Sequence, residues 1–438
     1  MKVAVIGAGY VGLTLACFAE FGHEITLIGR DRKKIEMINN GKPPIYEPGL
    51  EEILRRGIQS KMIKATDDYS VVKESDVVFI CVGTPSNEDG SIDLSQIRTS
   101  SGQIAEQLKF VDRFIVVVVK STVVPQTTVA VVKPILENVS GKKCGVDFGI
   151  AMNPEFLKEG DAVEDFVHPD KIVLGTLDNR SYEILEKLYS CLDKNIVRIK
   201  TDPTTAEMIK YVQNSALASR VSFINEMANI CEELSVDIKE VAYAIGLDSR
   251  IGPKFLRAGP GFGGSCFPKD VKALLSLFRV KGEQPIMLKA ILDVNAMRPH
   301  RMVSMAEKAL GNLKNKNIAV LGLAFKANTD DIRESPAITV VKELLKNGAK
   351  IKAYDPEAME TTKAVFGPSI EYAKNKEECL VGADLCMILT EWDEFKNIDL
   401  STVKCPIVDG RRVINPEEAR KHGILYMGIG WKNTKVDL

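Results

Sequence analysis

The sequence predicts an α/β protein: two Rossmann-like, doubly wound lobes joined by a central helical region that contains one long helix. Three observations carry this. A short apolar run, Lys2–Ile6, leads at once into Gly7-Ala-Gly9-Tyr-Val-Gly12 and a helical apolar pattern (Leu13, Ala16, Ala19). Glycines so spaced between a strand and a helix serve a tight turn, close approach of a pyrophosphate, and close helix–strand packing. Apolar strand-like runs then alternate with helical stretches, and a second alternating unit starts at Ile318. Between them, Thr204–Leu234 contains no glycine or proline and repeats Met208, Val212, Val221, Ile224, Met227 and Cys231 at helical spacing. The expected domains are a dinucleotide-binding lobe (1–200), a helical dimerisation domain carrying a reactive cysteine (201–312), and a second Rossmann-like lobe (313–438).

Bulk numbers narrow the function. At 438 residues the chain needs more than one core. A net charge of −1 gives no argument for nucleic acid or an anionic membrane surface as partner. The nine cysteines show no CxxC or Cys/His zinc spacing, and only four histidines accompany them. Reduced thiols and no metal site are expected. The chain enters a strand at Lys2 and holds no 18-residue apolar run, so a cytoplasmic location is expected.

In the first lobe, the turn Gly7, Gly9, Tyr10, Val11, Gly12 places a pyrophosphate at a helix N-terminus. The next strand, Glu24–Ile28, ends in Gly29-Arg30-Asp31-Arg32-Lys33-Lys34. NAD-binding lobes carry an acidic residue here for the adenosine ribose. Gly29 removes repulsion against a 2′-phosphate and Arg30 can pair with one, while Asp31 can still reach the ribose. The cofactor is therefore NAD or NADP, with NADP expected to be accepted. The runs Asp76–Val82, Phe114–Val119 and Phe148–Met152 suit parallel strands buried on both faces. They end at Gly83-Thr84, Lys120-Ser-Thr122 and Asn153-Pro-Glu155-Phe-Leu-Lys-Glu159. Ligands lie beyond the carboxyl ends of such strands, so Thr84, Thr122, Glu155 and Glu159 should converge on the cofactor edge.

The long helix, about 45 Å for roughly 30 residues, is expected to bridge two domains and to form a homodimer through residues 204–234. Lys210 and Asn214 lie on one face of it and are suitable donors to an oxyanion. A further helix, Val236–Gly246, leads through Arg250-Ile-Gly-Pro-Lys254-Phe-Leu-Arg257 into Gly261-Phe-Gly-Gly-Ser-Cys266-Phe-Pro-Lys269-Asp270. Pro268 marks a helix start. Cys266 then sits before a helix N-terminus beside Lys269, and both favour thiolate. Asp270 adds a carboxylate. The plainer alternative is a buried structural cysteine on a tight turn. Helices at about 269–281 and 284–311 and a polar linker, Asn312–Asn317, complete the region. The second lobe, from Ile318, lacks GxGxxG but carries Lys326 and Arg411 at strand ends, which suit a different phosphate ligand. Two such lobes and a bridge imply two ligands brought face to face.

From end to end the chain resembles the nucleotide-sugar 6-dehydrogenases, the UDP-glucose/GDP-mannose dehydrogenase family. The residues that carry the likeness are Gly261–Asp270, Asn153-Pro-Glu155-Phe156, Lys210-x-x-x-Asn214, Arg250-Ile-Gly, Ala324-Phe-Lys326 and Asp409-Gly-Arg411. The resemblance implies oxidation of a primary alcohol to an acid with two cofactor molecules in turn, and a third domain that binds a UDP-sugar. Cys266 becomes the nucleophile, through a thiohemiacetal and a thioester. Lys210 and Asn214 hold the oxyanion, while Asp270, Glu155 and Thr122 order and deprotonate water or the substrate hydroxyl. Lys34, Thr84, Glu159, Lys269 and Arg333 match cofactor contacts. Phe156, Leu157, Lys254, Phe255, Arg257, Gly261, Phe262, Gly263, Phe325, Lys326 and Arg411 match substrate contacts, the glycines letting a sugar ring lie against the backbone. Arg250 matches a residue inserted across a dimer interface. UDP-glucose is the expected substrate, with GDP-mannose or another UDP-hexose (galactose, N-acetylhexosamine) as alternatives. A two-electron dehydrogenase would not need Cys266. A catalytically silent nucleotide-sugar sensor is opposed by the intact Cys266, Lys210 and Asp270.

Overall fold

Apolar residues at both faces of the central strands decide the architecture. The computed structural model describes residues 1–431, which divide into two units, Met1–Gln213 and the chain from Asn214 onward. In the first, β1 (Lys2–Ile6), β2 (Glu24–Ile28), β3 (Ile63–Thr66), β4 (Val77–Ile80), β5 (Val116–Val119), β6 (Gly149–Met152), β7 (Lys171–Thr176) and β8 (Val197–Thr201) form one sheet. Its order is β3-β2-β1-β4-β5-β6-β7-β8. Val3, Val5, Val77, Phe79, Val116 and Val118 enter one core. Their alternates Ala4, Ile6, Val78, Ile80, Val117 and Val119 enter another, on the opposite face. A strand wedged between two cores has no polar face, which is why these segments read as continuous apolar runs.

β7 runs antiparallel to β6 (Ala151 opposite Thr176), and β8 runs parallel to β7. The apolar-run criterion missed this pair and β3. In β8 the sequence Val-Arg-Ile-Lys-Thr leaves every residue at least partly exposed, as an edge allows. The predicted runs exceed the ladders by one or two residues at the start of β4, β5 and β6, and by two at the end of β4, where the chain leaves the sheet after Ile80.

The second unit carries the same strand order. β9 (Asn317–Leu321), β10 (Lys350–Tyr354), β11 (Glu371–Tyr372), β12 (Leu385–Ile388), β13 (Ile407–Asp409) and β14 (Tyr426–Gly428) are arranged β11-β10-β9-β12-β13-β14. The first lobe's helix starts at Tyr10, one short turn beyond Ile6, whereas the second lobe's first helix waits until Pro336, a long loop beyond Leu321. Asp355 stands just past β10, where Gly29 stands past β2. Its carboxylate accepts the Leu323 and Ala324 amides at 2.7 and 3.0 Å and the Trp392 Nε1–H at 3.1 Å. Those amides, which in a dinucleotide lobe would face a pyrophosphate, are thereby taken. The unit also holds the helices Ile238–Gly246, Phe267–Val280 and Ile286–Leu310.

The long helix spans Pro203–Glu233 without a break. Asp202 starts it by accepting the Thr205 amide at 3.0 Å.

Asp355→Asn should cost about 2–3 kcal/mol, since an amide NH₂ would face buried N–H donors. A lowered urea midpoint checks this; an unchanged midpoint contradicts the assignment of Asp355 as the clamp of this loop.

Candidate active site

The three N-terminal glycines do separate work. Gly7 has φ +109°, and a Cβ there would meet the Cys81 carbonyl at 2.6 Å. Gly12 packs so closely that its Cβ would lie 1.8 Å from the Gly7 carbonyl oxygen, whereas a Cβ on Gly9 would meet nothing within 4 Å. Gly9 therefore faces open space. Gly7, Gly9, Gly29, Arg30 and Lys34 line one cleft of about 310 Å³. A strand end, a glycine turn and a helix start opening on such a cleft fit a dinucleotide. On its far side Arg30 donates to Gln96 Oε1 at 3.4 Å. Asp31 caps the helix Arg32–Asn39, accepting the Lys33 and Lys34 amides at 3.0 and 3.3 Å.

Tyr10 does not point its phenol into the cleft's chemistry. Its hydroxyl bonds the buried Glu47, which also accepts the Gly160 and Ala162 amides, each at 2.7 Å. Burial and the neighbouring carboxylate push that phenol far up. Val11 packs on the core. Glu47 thus ties the glycine turn to the loop bearing Glu159, a link that no spacing in the sequence revealed. Thr84, past β4, donates to the Thr122 carbonyl past β5 at 2.8 Å.

Past β6, Glu155 and Lys210 form an ion pair at 2.8 Å with side chains 6% and 3% exposed. Glu155 also accepts the Leu157 amide at 2.7 Å. Burial alone would push this carboxyl up. The Lys210 charge and hydrogen bond, the Leu157 amide and the Lys120 charge together bring it below the usual carboxylate range. The Phe156 ring lies 5.7 Å from Lys210 Nζ and 4.3 Å from Lys171 Nζ. One turn earlier on the helix, buried Glu207 accepts the Gln126 amide at 2.6 Å and the Thr128 amide at 2.7 Å. Burial raises it to about 7. Glu207 fastens the loop that follows Thr122 and was not recognised from sequence.

In the second unit the cysteine loop is held from beneath. Asn225 accepts the Gly259 amide at 2.7 Å, and Arg298, only 2% exposed, donates to the Gly259 carbonyl at 3.0 Å. Asn295 clasps Phe262 on both sides, accepting its amide at 2.8 Å and donating to its carbonyl at 3.0 Å. The glycines of this loop also answer a packing demand of the protein itself. A Cβ at Gly261 (φ +117°) would lie 2.9 Å from Asn295 Oδ1, at Gly263 2.3 Å from the Glu334 carbonyl, and at Gly264 2.8 Å from the Phe325 ring. These side-chain directions are filled by protein. The glycines are required first for packing the loop against its own domain.

Cys266 is the N-cap of the helix Phe267–Val280, and its carbonyl accepts the Asp270 amide at 2.8 Å. Its sulfur lies 3.5 Å from Ser265 Oγ. The Asp270 carboxylate is fully buried and accepts two bonds, from Asn214 Nδ2 and Lys269 Nζ, each at 2.6 Å. Asn214 thus commits one amide hydrogen to Asp270 and retains a second. Lys269, expected at the cofactor, is paired with Asp270.

The remaining candidates in this unit fall into two groups. Arg411 Nη2 donates to the Phe325 carbonyl at 3.2 Å, its guanidinium lies against Gly259, and Lys326 Nζ is 5.9 Å from the Phe325 ring. These residues join the cysteine loop. Lys254 and Phe255 lie on a loop that Arg220 grips through the carbonyls of Ile251, Gly252 and Lys254 at 2.7–2.9 Å. Phe255 has φ +63° and its ring lies 6.0 Å from that of Phe267. Arg257 is exposed. Arg250 and Arg333 are exposed and pair locally with Asp248 and Asp331, each at 2.6 Å. Among the described residues no group of three or more His, Cys, Asp or Glu could hold a metal ion.

Comparison with known proteins agrees along the whole chain. Family models of the UDP-glucose/GDP-mannose dehydrogenase family match residues 1–193 (NAD binding domain), 204–297 (central domain) and 319–416 (UDP binding domain). UDP-glucose 6-dehydrogenase AglM of Haloferax volcanii is 45% identical over 98% of this chain and 100% of its own length. UDP-glucose 6-dehydrogenase TuaD of Bacillus subtilis is 40% identical over 98% and 93%. A solved UDP-glucose dehydrogenase of the hyperthermophilic archaeon Pyrobaculum islandicum superposes with a TM-score of 0.93 at 39% identity, covering 98% of each chain.

Gly263→Ala should lower stability by about 1–3 kcal/mol and slow any turnover that uses Cys266, because the new methyl meets a backbone carbonyl. Urea unfolding and steady-state rates check this; a variant matching the parent in both contradicts the packing argument.

Proposed function

The chain belongs to the UDP-glucose/GDP-mannose dehydrogenase family, and we propose that it oxidises the C6 hydroxymethyl group of UDP-glucose to a carboxylate. It is an NAD-dependent oxidoreductase, and the reaction removes four electrons per sugar. The observation that carries this reading is Cys266 at a helix N-cap, one turn from a buried Asp270 that is bonded to Asn214. A two-electron oxidation would leave such a thiol without a task.

When bound, each of two NAD molecules in turn supplies a hydride acceptor. The first oxidation releases the hydroxyl proton to the Glu155–Lys210 pair, which is buried and therefore strongly interacting. The Cys266 thiolate adds to the resulting aldehyde, forming a C–S bond and an alkoxide that Lys210 and Asn214 hold as donors. The second oxidation leaves a thioester on Cys266. Water, ordered by Asp270, Glu155 and Thr122, attacks its carbonyl carbon. The C–S bond breaks, the thiol leaves, and the acid is released. The thiol thus keeps the aldehyde from diffusing away between the two oxidations.

Lys326, Arg411, Lys254, Arg257 and the loop 257–263 are our proposed contacts to the UDP-sugar. We assign cofactor binding to 1–200, dimerisation to 201–312 and UDP-sugar binding to 313–438. The exposed stripe Met208, Val212, Phe223 and Ile230 on the long helix supports a homodimer. No helix among the described residues is long and apolar enough to cross a membrane, in keeping with a proposed cytoplasmic location. We also propose that NADP is accepted. Asp31 is occupied as a helix cap, Gly29 carries no charge, and Arg30 and Lys34 line the cleft.

UDP-glucose should yield two NADH per sugar, and Cys266→Ser should lose steady turnover by about a thousandfold or more. Full four-electron turnover by that variant rules out covalent capture. Arg30→Ala should raise KM for NADP about tenfold, for a lost charge-assisted bond of ~1.5 kcal/mol, and leave NAD nearly unaffected. Equal losses with both cofactors remove the argument for NADP.

A further inference from the structure

We propose that Lys120 is a positioning residue for this reaction: it fixes the turn that presents Glu155 and supplies a buried cation that keeps the Glu155 carboxylate ionised. The inference rests on the reading of Glu155 and Lys210 given above. Neither sequence spacing nor the family domains assign Lys120 a part.

The geometry begins in the sheet. Val119 of β5 lies opposite Met152 of β6, so Lys120 and Asn153 leave the carboxyl edge side by side. Lys120 is only 6% exposed. Its Nζ donates to Asn153 Oδ1 at 2.8 Å, to the Asn153 carbonyl at 3.3 Å and to the Tyr189 hydroxyl at 3.4 Å. Asn153 in turn donates to the Val173 carbonyl at 2.8 Å and accepts the Tyr189 hydroxyl at 2.6 Å. The residue two positions before Glu155 is therefore gripped from two neighbouring strands and a helix.

A buried ammonium bonded only to neutral oxygens is costly unless its charge has a use. The titratable groups facing it are Cys81 past β4, Glu155 past β6, Tyr189 at the end of the helix Asn179–Tyr189, and Lys210 on the long helix. Burial pushes the Cys81 thiol up to about 12 and the Tyr189 phenol higher still, so both are neutral. Glu155 is the one anion of the set. Burial, opposed by Cys81 and Glu155 and assisted slightly by Lys210, brings Lys120 down to about 8. The ammonium therefore persists at neutral pH. Glu155 thus has two cations acting on it, Lys210 in contact and Lys120 through the Asn153 turn, while Lys171 Nζ lies 4.3 Å from the Phe156 ring. With Lys120 neutralised, Glu155 would hold its proton to higher pH and cease to act as a base for the C6 hydroxyl.

The test compares pH profiles of UDP-glucose oxidation with NAD in the parent, Lys120→Gln, Lys120→Met and Tyr189→Phe, each checked for folding by circular dichroism. Glutamine keeps a donor for Asn153 without the charge. It should move the acid limb of kcat/KM up by about one pH unit and lower kcat at pH 7 roughly tenfold, with KM for UDP-glucose changed less than about threefold. Methionine gives the same readout should the glutamine variant not fold. Tyr189→Phe, which removes a neutral bond to Asn153, should leave the limb in place. An unmoved limb in the folded Lys120 variant, or an equal shift in Tyr189→Phe, overturns the proposal. Glu155→Gln separates the two levels. If it is inactive while Lys120→Gln matches the parent, only this inference fails. If Glu155→Gln keeps the parent's rate and profile, the role given to Glu155 fails with it.

Discussion

A carboxylate can be taken out of water only if donors meet it, and the fully buried Asp270 imposes that condition on everything near the cysteine. Its two donors come from Asn214 on the long helix and from Lys269 on its own first turn. The Asp270 amide returns to the Cys266 carbonyl, which closes the first turn of the helix and settles where the sulfur begins. The loop before it can only follow. Asn295, Asn225 and Arg298 hold its backbone from below, and glycines at 261, 263 and 264 let it press against Asn295, Glu334 and Phe325. Cys266 is thus placed by buried polar bonds rather than by loop stiffness.

The same rule recurs at each sheet edge. Glu47 gathers the Gly160 and Ala162 amides and the Tyr10 hydroxyl, Glu207 gathers Gln126 and Thr128, and Asp355 gathers Leu323 and Ala324. Each fastens a loop whose backbone would otherwise leave unpaired donors. Asp355 also explains why one strand order serves two ligands. In the first lobe the position past the second strand is Gly29 and the turn faces an open cleft; in the second a carboxylate fills the turn.

Much of this was legible beforehand, and for identifiable reasons. Strands buried on both faces must be continuously apolar, so Val77–Ile80, Val116–Val119 and β9 declared themselves. GxGxxG worked because Gly7 and Gly12 each answer a separate steric demand and Gly9 leaves its face open to the cleft. The edge strands β3, β8 and β14 stayed hidden because an edge tolerates polar residues and short length. The sequence reading found Glu155, Lys210, Asn214, Cys266 and Asp270 but not their pairing. It gave Lys210 and Asn214 a shared role as oxyanion donors, and it did not reveal that Lys210 meets Glu155 and Asn214 meets Asp270.

By itself, then, the sequence determined the repeated α/β alternation, the dinucleotide turn, the long helix and the place of Cys266 before a helix start, because periodicity, glycine spacing and helix signals are local. Only the tertiary structure decided which carboxylate meets which cation and why the glycines of the cysteine loop are glycines. It also decided that Lys120 lies buried and bonded to Asn153. Those outcomes depend on contacts between residues far apart in the chain, such as Asn214 with Asp270 and Gly263 with Glu334. Their energies come from burial, and burial is a property of the packed domain, not of any segment within it.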